Sequence, residues 1–172
     1  LASKTSLHID FGGGVQSEDD IKIAFNSGAK QVTGGSIAVR NPELFESWLQ
    51  QYGSDAIILG ADAKNEKIAV SGWEEDTKLW VYDFIEQYYH KGVRYTISTD
   101  VAKDGLLQGP SFDLYKNIQD KTPDVHIIAS GGVSNLADIE QLAEMNLFGV
   151  IVGKAIYEGR VTLADLRKFS NA

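Results

Sequence analysis

Apolar residues along this chain come in short runs, each closed by glycine or a polar loop and followed by a stretch with helical spacing. Residues 7–11 alternate as a strand and break at Gly12-Gly13-Gly14. Ser17, with Asp20 three residues on, then opens a helix with Ile21, Ala24 and Phe25 on one face, ended by Gly28. Gln31-Val32-Thr33 is a second strand, stopped by Gly34-Gly35-Ser36. Asn41-Pro42 supplies a cap and first position for a helix carrying Leu44, Phe45, Trp48 and Leu49, closed by Gly53. Residues 56–61 are almost wholly apolar, as in a parallel strand covered on both faces.

After Asp62, a turn at Asn65-Glu66 leads into Lys67-Ile68-Ala69-Val70, which predicts a hairpin excursion reaching Trp73. The next apolar positions, Leu79, Val81, Phe84, Ile85 and Tyr88, predict one helix over 77–90, stopped at Gly92. A strand over 95–98 follows, then a long polar loop. Ser111 or Asp113 opens a helix with Leu114, Tyr115 and Ile118. Residues 125–129 form a strand ending at Ser130-Gly131-Gly132, and Ser134 or Asn135 caps a helix with Ile139, Leu142 and Ala143. A strand over 148–152 ends at Gly153-Lys154, and a helix over 163–169 closes the chain.

Strand then helix, repeated six times, predicts a parallel α/β sheet with right-handed crossovers. An internal repeat narrows the architecture. At an offset of 118 residues, Gly13-Gly14-Val15 overlies Gly131-Gly132-Val133 without a gap. The same offset pairs Asp20 with Asp138, Ile21 with Ile139, Val32 with Val150 and Gly35 with Gly153. Two distant copies of one unit point to a closed symmetric array, the (β/α)8 TIM barrel, rather than a doubly wound sheet. Six of eight units are then expected here, as strands three to eight of one domain over 1–172. Residues 1–53 would end a first half-barrel and 54–172 form the second. A complete barrel of about 250 residues would need roughly 70–80 more, and Leu1 in place of a starting Met fits an absent beginning.

Composition alters this picture only at its margins. The 172 residues are 43% hydrophobic, enough for one core, and include no cysteine, which removes disulfides and thiol chemistry and suits the cytoplasm. No apolar run approaches membrane-spanning length. A net charge of −8 argues against nucleic-acid partners and leaves any anion to be held by local backbone dipoles.

Candidate chemistry collects at the strand ends. The loop from Thr99 to Pro110 holds Asp100, Lys103, Asp104, Gly105 and Gly109 before any helix begins, more than a spacer needs. Four glycine-bearing strand ends form two matched pairs, Gly13-Gly14 with Gly35 and Gly131-Gly132 with Gly153. Glycine there lets backbone N–H groups close on an anion, so two pairs predict two phosphates. Ser36 adds a hydroxyl, and Lys154 is either a ligand or an ordinary helix-start lysine. His8, His90 and His126 show no ligand spacing, and no metal or cofactor is expected.

The motifs together resemble a known family over nearly the whole chain. They include Asp10-Phe11-Gly12-Gly13-Gly14-Val15, Gly34-Gly35-Ser36-Ile37, Gly60-Ala61-Asp62, Gly72-Trp73, Thr99-Asp100 with Lys103-Asp104-Gly105, Leu107-Gln108-Gly109-Pro110, Ser130-Gly131-Gly132 and Val152-Gly153-Lys154. The pattern is similar to that of the sugar isomerases of histidine biosynthesis, the phosphoribosylformimino-aminoimidazole carboxamide ribotide isomerases. Their cyclase paralogues (the synthase subunit of imidazole glycerol phosphate synthase) share the glycines, but Gly72-Trp73-Glu74-Glu75 and the Leu-Gln-Gly-Pro ending are isomerase-like. Leu106 stands where the isomerases usually have Thr.

The resemblance implies an Amadori rearrangement of an aminoaldose to an aminoketose on a bisphosphate sugar, with an acid at the ring oxygen and a base at C2. It implies Asp104 as general acid, Asp62 as a second essential carboxylate and Thr99 as an orienting hydroxyl. It places the phosphates on Gly13, Gly14, Gly35 and Ser36 and on Gly131, Gly132, Gly153 and Lys154. Trp73 would stack on the aminoimidazole, Asp10 would support the site electrostatically, and Asp100 would be structural or supporting. The family's first-strand aspartate, the expected base, is not among these residues, so the 172-residue chain is expected to be inactive alone. The alternatives are a cyclase fed with ammonia by a partner, and an inactive phosphate-binding piece. The complete protein is expected to be a monomer without nucleic-acid or membrane partners, and the piece to associate through open sheet edges.

Overall fold

The computed structural model describes residues 1–70, 72 and 75–169, with Glu75 and Asp76 described by backbone alone. Six strands, β1 (Asp10–Gly12), β2 (Gln31–Gly34), β3 (Ile57–Gly60), β7 (Tyr95–Thr99), β8 (His126–Ser130) and β9 (Gly149–Val150), lie side by side in chain order. Every neighbouring pair is parallel. The sheet is curled like part of a barrel wall, with β1 and β9 at its edges. Between β3 and β7 a separate antiparallel sheet rises from the rim, made of β4 (Ala63–Lys64), β5 (Lys67–Val70) and β6 (Glu75–Trp80).

The helices are α1 (Glu18–Asn26), α2 (Ser36–Arg40), α3 (Pro42–Tyr52), α4 (Val81–His90), α5 (Phe112–Lys121), α6 (Leu136–Glu144), α7 (Lys154–Tyr157) and α8 (Leu163–Leu166). Their boundaries follow local chemistry. Ser17 caps α1 by accepting from the Asp20 amide, and the Asp20 carboxylate accepts in return from Ser17 Oγ and the Gln16 amide. Asn41 caps α3 with Pro42 at its first position, as the sequence predicts. At α6 the cap is Asn135, in a reciprocal box with Asp138.

Helix residues Phe45, Trp48, Ile85, Tyr88, Tyr115 and Ile118 are fully buried against the outward residues of the strands, Ile57 and Leu59 among them. Each large side chain removed from water contributes about 1.5–3 kcal/mol, which fixes the helices to one face of the sheet. Phe84 and Phe45 meet the Tyr88 ring edge-on, each at 5.1 Å, and Tyr88 Oη donates to the Ala38 carbonyl at 2.6 Å. Burial pushes the Tyr88 hydroxyl up to about 12.

The expected helix over 77–90 is corrected. Residues 75–80 are a strand, and the helix starts at Val81. The buried spacing is Val81, Phe84, Ile85 and Tyr88, whereas Leu79 is 45% exposed and belongs to no helical face. The Val81 amide donates to the Glu66 carbonyl, and the Lys67 ammonium lies 5.4 Å from the Trp80 ring centre. Cross-strand pairing therefore claims these residues before the helix does.

The closing helix is likewise shorter than expected, and 148–152 contributes only two paired residues. Among the described residues no strand pairs with the outer side of β9, so nothing extends its ladder. Apolar hollows flank both edges, one lined by Leu142, Phe148 and Phe169, the other by Ile9, Phe11 and Ile23. No helix among the described residues is long and apolar enough to cross a membrane.

Candidate active site

Because the six strands run one way, their C-terminal ends share a rim, and the residues named above for chemistry gather there. Two hollows occupy it. The first, of about 570 Å³, is lined by Gly13, Gly14, Gly35, Ser36, Asp62 and Thr99, with Gln16, Thr33 and Arg40. The second, of about 240 Å³, is lined by Gly131, Gly132, Gly153, Lys154 and Asp104. Each glycine triplet predicted from sequence thus lines a hollow of its own. The larger apolar hollow at the β9 edge holds none of these polar groups and lies away from them.

The sequence repeat is a structural repeat. Gly13 and Gly131 have φ of 92° and 86°, and Gly14 and Gly132 have 77° and 81°. Gly35 (φ −101°, ψ −86°) and Gly153 (φ −105°, ψ −95°) adopt nearly one conformation, and each begins a short helix. Asp138 accepts from the Ser134 amide and hydroxyl at 2.8 Å, as Asp20 does from Gln16 and Ser17. The aspartates bind the loops, so both cradles are held in shape by matching caps.

Thr99 stands between the two hollows. It is 5% exposed and lines the first, while its methyl would lie 3.1 Å from a Cβ placed on Gly131. An Asp104 carboxylate oxygen would lie 3.4 Å from the same point. Thr99 and Asp104 therefore converge on Gly131, and Asp62 joins Thr99 through the first hollow. Asp62 lines the first hollow with Thr99, and Asp104 lines the second. Trp73 lies outside the described residues.

The loop after β7 folds back on itself. The amides of Lys103 and Asp104 both donate to the Asp100 carbonyl, and Leu106 donates to Lys103. The Asp100 carboxylate accepts from the Ala102 amide at 3.0 Å and from Ser111 Oγ at 2.5 Å, tying the loop's start to its end. Ser111 is thus the residue before α5, but its hydroxyl serves the loop rather than the helix. The Val101 amide donates to the Ala63 carbonyl, joining the loop to the antiparallel sheet. Beneath it, Tyr115 Oη donates to the Ser130 carbonyl and accepts from the Ser130 amide. Burial pushes the Tyr115 hydroxyl far up, and the nearby Asp100 and Asp62 charges add to this.

Lys154 begins α7 and reaches across to the loop after β7. Its ammonium donates to the Gly105 carbonyl at 2.9 Å and lies 3.7 Å from Glu158, so it spans the cradle and the loop. At the first cradle, the Asp10 carboxylate accepts from the Thr33 hydroxyl at 2.7 Å. Burial raises the Asp10 carboxyl above the usual range, partly offset by that hydrogen bond and by the His8 charge.

Sequence reasoning missed Gln16, Thr33, Arg40 and Gly60 as lining residues. Gly60 was visible as a strand-end glycine, and the reason for it is a neighbour. A Cβ there would come within 3.0 Å of the Gly35 Cα, so the two backbones touch across β2 and β3. Arg40 carried only a weak signal, a basic residue at the end of the short helix that follows Gly35.

Residues 1–162 match the family model described as histidine biosynthesis protein. A Parabacteroides distasonis protein is 59% identical over 170 residues, which are 99% of this chain and 71% of the relative. It is named 1-(5-phosphoribosyl)-5-((5-phosphoribosylamino)methylideneamino) imidazole-4-carboxamide isomerase. Relatives of the same name from Flavobacterium johnsoniae and Bacteroides thetaiotaomicron are 57% and 56% identical, each over 98% of this chain and 70% and 71% of their own lengths.

Proposed function

The chain belongs to the histidine biosynthesis protein family, and from that premise we propose that it is the isomerase its relatives are named for, rearranging an aminoaldose to an aminoketose. The observation that carries this reading is the doubled cradle. The relatives' name contains two phosphoribosyl groups, and there are two matched glycine hollows, one lined also by Thr99 and Asp62 and the other by Asp104. On this reading the six parallel strands are strands three to eight of a (β/α)8 barrel, with 1–53 in its first half and 54–172 in its second.

One phosphate is held by amides around Gly13, Gly14, Gly35 and Ser36, with Arg40 close by. The other is held around Gly131, Gly132 and Gly153, with Lys154. A substrate anchored at both ends lies across Thr99, which orients it by hydrogen bonding. Asp104 protonates the ring oxygen so that the aminoaldose ring opens. Opening leaves an imine at C1, a base takes the C2 proton to give an enaminol, and C1 then gains a proton as the C2 hydroxyl loses its own, giving the aminoketose. Asp62, which lines the first hollow with Thr99, is the second essential carboxylate. Trp73 stacks on the aminoimidazole. Each group in general acid–base work of this kind supplies about 10²–10⁴ in rate.

The cyclase alternative is not favoured, since the relatives compared above carry the isomerase name. The test is to incubate the complete natural protein with the aminoaldose bisphosphate and follow the product by chromatography. Conversion to the aminoketose without ammonia is expected. Turnover that requires ammonia would move the chain to the cyclases, and no conversion at all would overturn the reading.

A further inference from the structure

The second hollow has walls of two origins. The cradle supplies Gly131, Gly132 and Gly153, while the loop after β7 supplies Asp104, Gly105 and Leu107. Lys154 is the side chain that joins them, through its hydrogen bond to the Gly105 carbonyl one residue from Asp104. Leu107 holds a left-handed φ of 53° beside it, so the turn has a defined shape that a partner must maintain. Resting on the proposed function above, we propose that Lys154 is a positioning residue that transmits phosphate binding in this cradle to the Asp104 loop.

The chemistry of the ammonium makes this specific. Lysine has three N–H donors and no acceptor. One is spent on the Gly105 carbonyl, and Glu158 at 3.7 Å is a loose ion-pair partner on the same helix. A phosphate oxygen entering the hollow takes the place of Glu158 without displacing Gly105. The ammonium then bridges ligand and loop, and the loop is held while the ligand is bound. The positive charge also stands among groups that would otherwise repel, since the phosphate and the Asp104 carboxylate share one hollow. A lysine that only gripped phosphate would affect affinity. One that also holds the loop affects the placement of the acid, and therefore turnover at saturation.

The test uses the complete natural protein, Lys154→Met and Lys154→Arg. Amide exchange at Lys103, Asp104 and Leu106 is measured with and without inorganic phosphate at saturating concentration. In the wild type, phosphate is expected to slow exchange at these amides by about tenfold. In Lys154→Met the same phosphate occupancy should leave exchange unchanged, and Lys154→Arg should recover most of the protection. In the isomerase assay, Lys154→Met should lower kcat as well as raise KM, with kcat recovered by Arg. Equal protection in wild type and Lys154→Met, or none in a wild type that binds phosphate, overturns the coupling and leaves the cradle reading standing. Absence of phosphate binding to the wild type overturns the cradle reading itself, and the coupling with it.

Discussion

Gly132 and Gly109 lie back to back. The Gly109 amide donates to the Gly132 carbonyl at 3.0 Å, and a Cβ on Gly132 would sit 2.4 Å from the Gly109 carbonyl oxygen. The oxygen is backbone and a Cβ is fixed on its own Cα, so neither can turn away. Gly132 also holds φ of 81°, which an L side chain adopts only at a cost. The end of the Asp104 loop is thus seated directly on the second cradle.

Gly132→Ala is therefore expected to destabilise the protein by about 2–5 kcal/mol, the sum of a left-handed backbone and an overpacked contact. Gly13→Ala, at a similar φ of 92° but with nothing near its Cβ, should cost only about 1–2 kcal/mol. Urea unfolding of the two variants measures the difference. Equal losses would mean that the Gly109 contact yields easily.

Asp104→Asn should lower kcat by about 10²-fold or more with little change in KM, because the grip comes from the cradles and the proton from the carboxyl. Asp62→Asn should also be severe. Steady-state kinetics on both variants decides their order. Near-normal turnover in Asp104→Asn beside a dead Asp62→Asn would transfer the acid role to Asp62.

Asp100→Ala removes the acceptor that serves both Ala102 and Ser111, leaving the loop untied at each end. A cost of about 1–3 kcal/mol is expected, together with faster proteolytic cleavage between 101 and 108. Asp100→Asn keeps one acceptor oxygen and should recover part of both. A loop equally resistant in Asp100→Ala would show that its other backbone bonds suffice.

Asp10 predicts a pH effect with a definite sign. Burial raises its carboxyl in the folded protein, so the folded state holds the proton more tightly than the unfolded one. That contribution is full below the usual value of 3.8 and is lost as pH rises through the raised folded value. Asp10→Asn retains an acceptor for Thr33 and removes the charge. It should be more stable than the wild type at pH 7, with the gap closing toward pH 4, in paired denaturant titrations. A gap independent of pH would mean that the Asp10 charge is well solvated.

The sequence by itself determined the order of elements, the parallel sheet and the repeat at 118 residues, because each is written in local spacing. Ser17 with Asp20 and Asn41 with Pro42 are caps read within four residues, and both hold, while of the two caps left open at Ser134 and Asn135 the structure uses Asn135. The two glycine cradles were legible for the same reason, and so was the hairpin turn at Asn65-Glu66, whose residues hold φ of 50° and 62°. Residues 77–80 were misread because their fate depends on the partner strand 67–70, and Leu79 fits a helical face until pairing removes it. Only the fold put Asp62 and Thr99 in one hollow and Asp104 in the next, brought Gly60 against Gly35, and placed Lys154 on the carbonyl of Gly105, 49 residues away in the chain. Those contacts arise from the curl of the sheet, which brings loops of distant strands onto one rim. No local pattern of side chains encodes that distance.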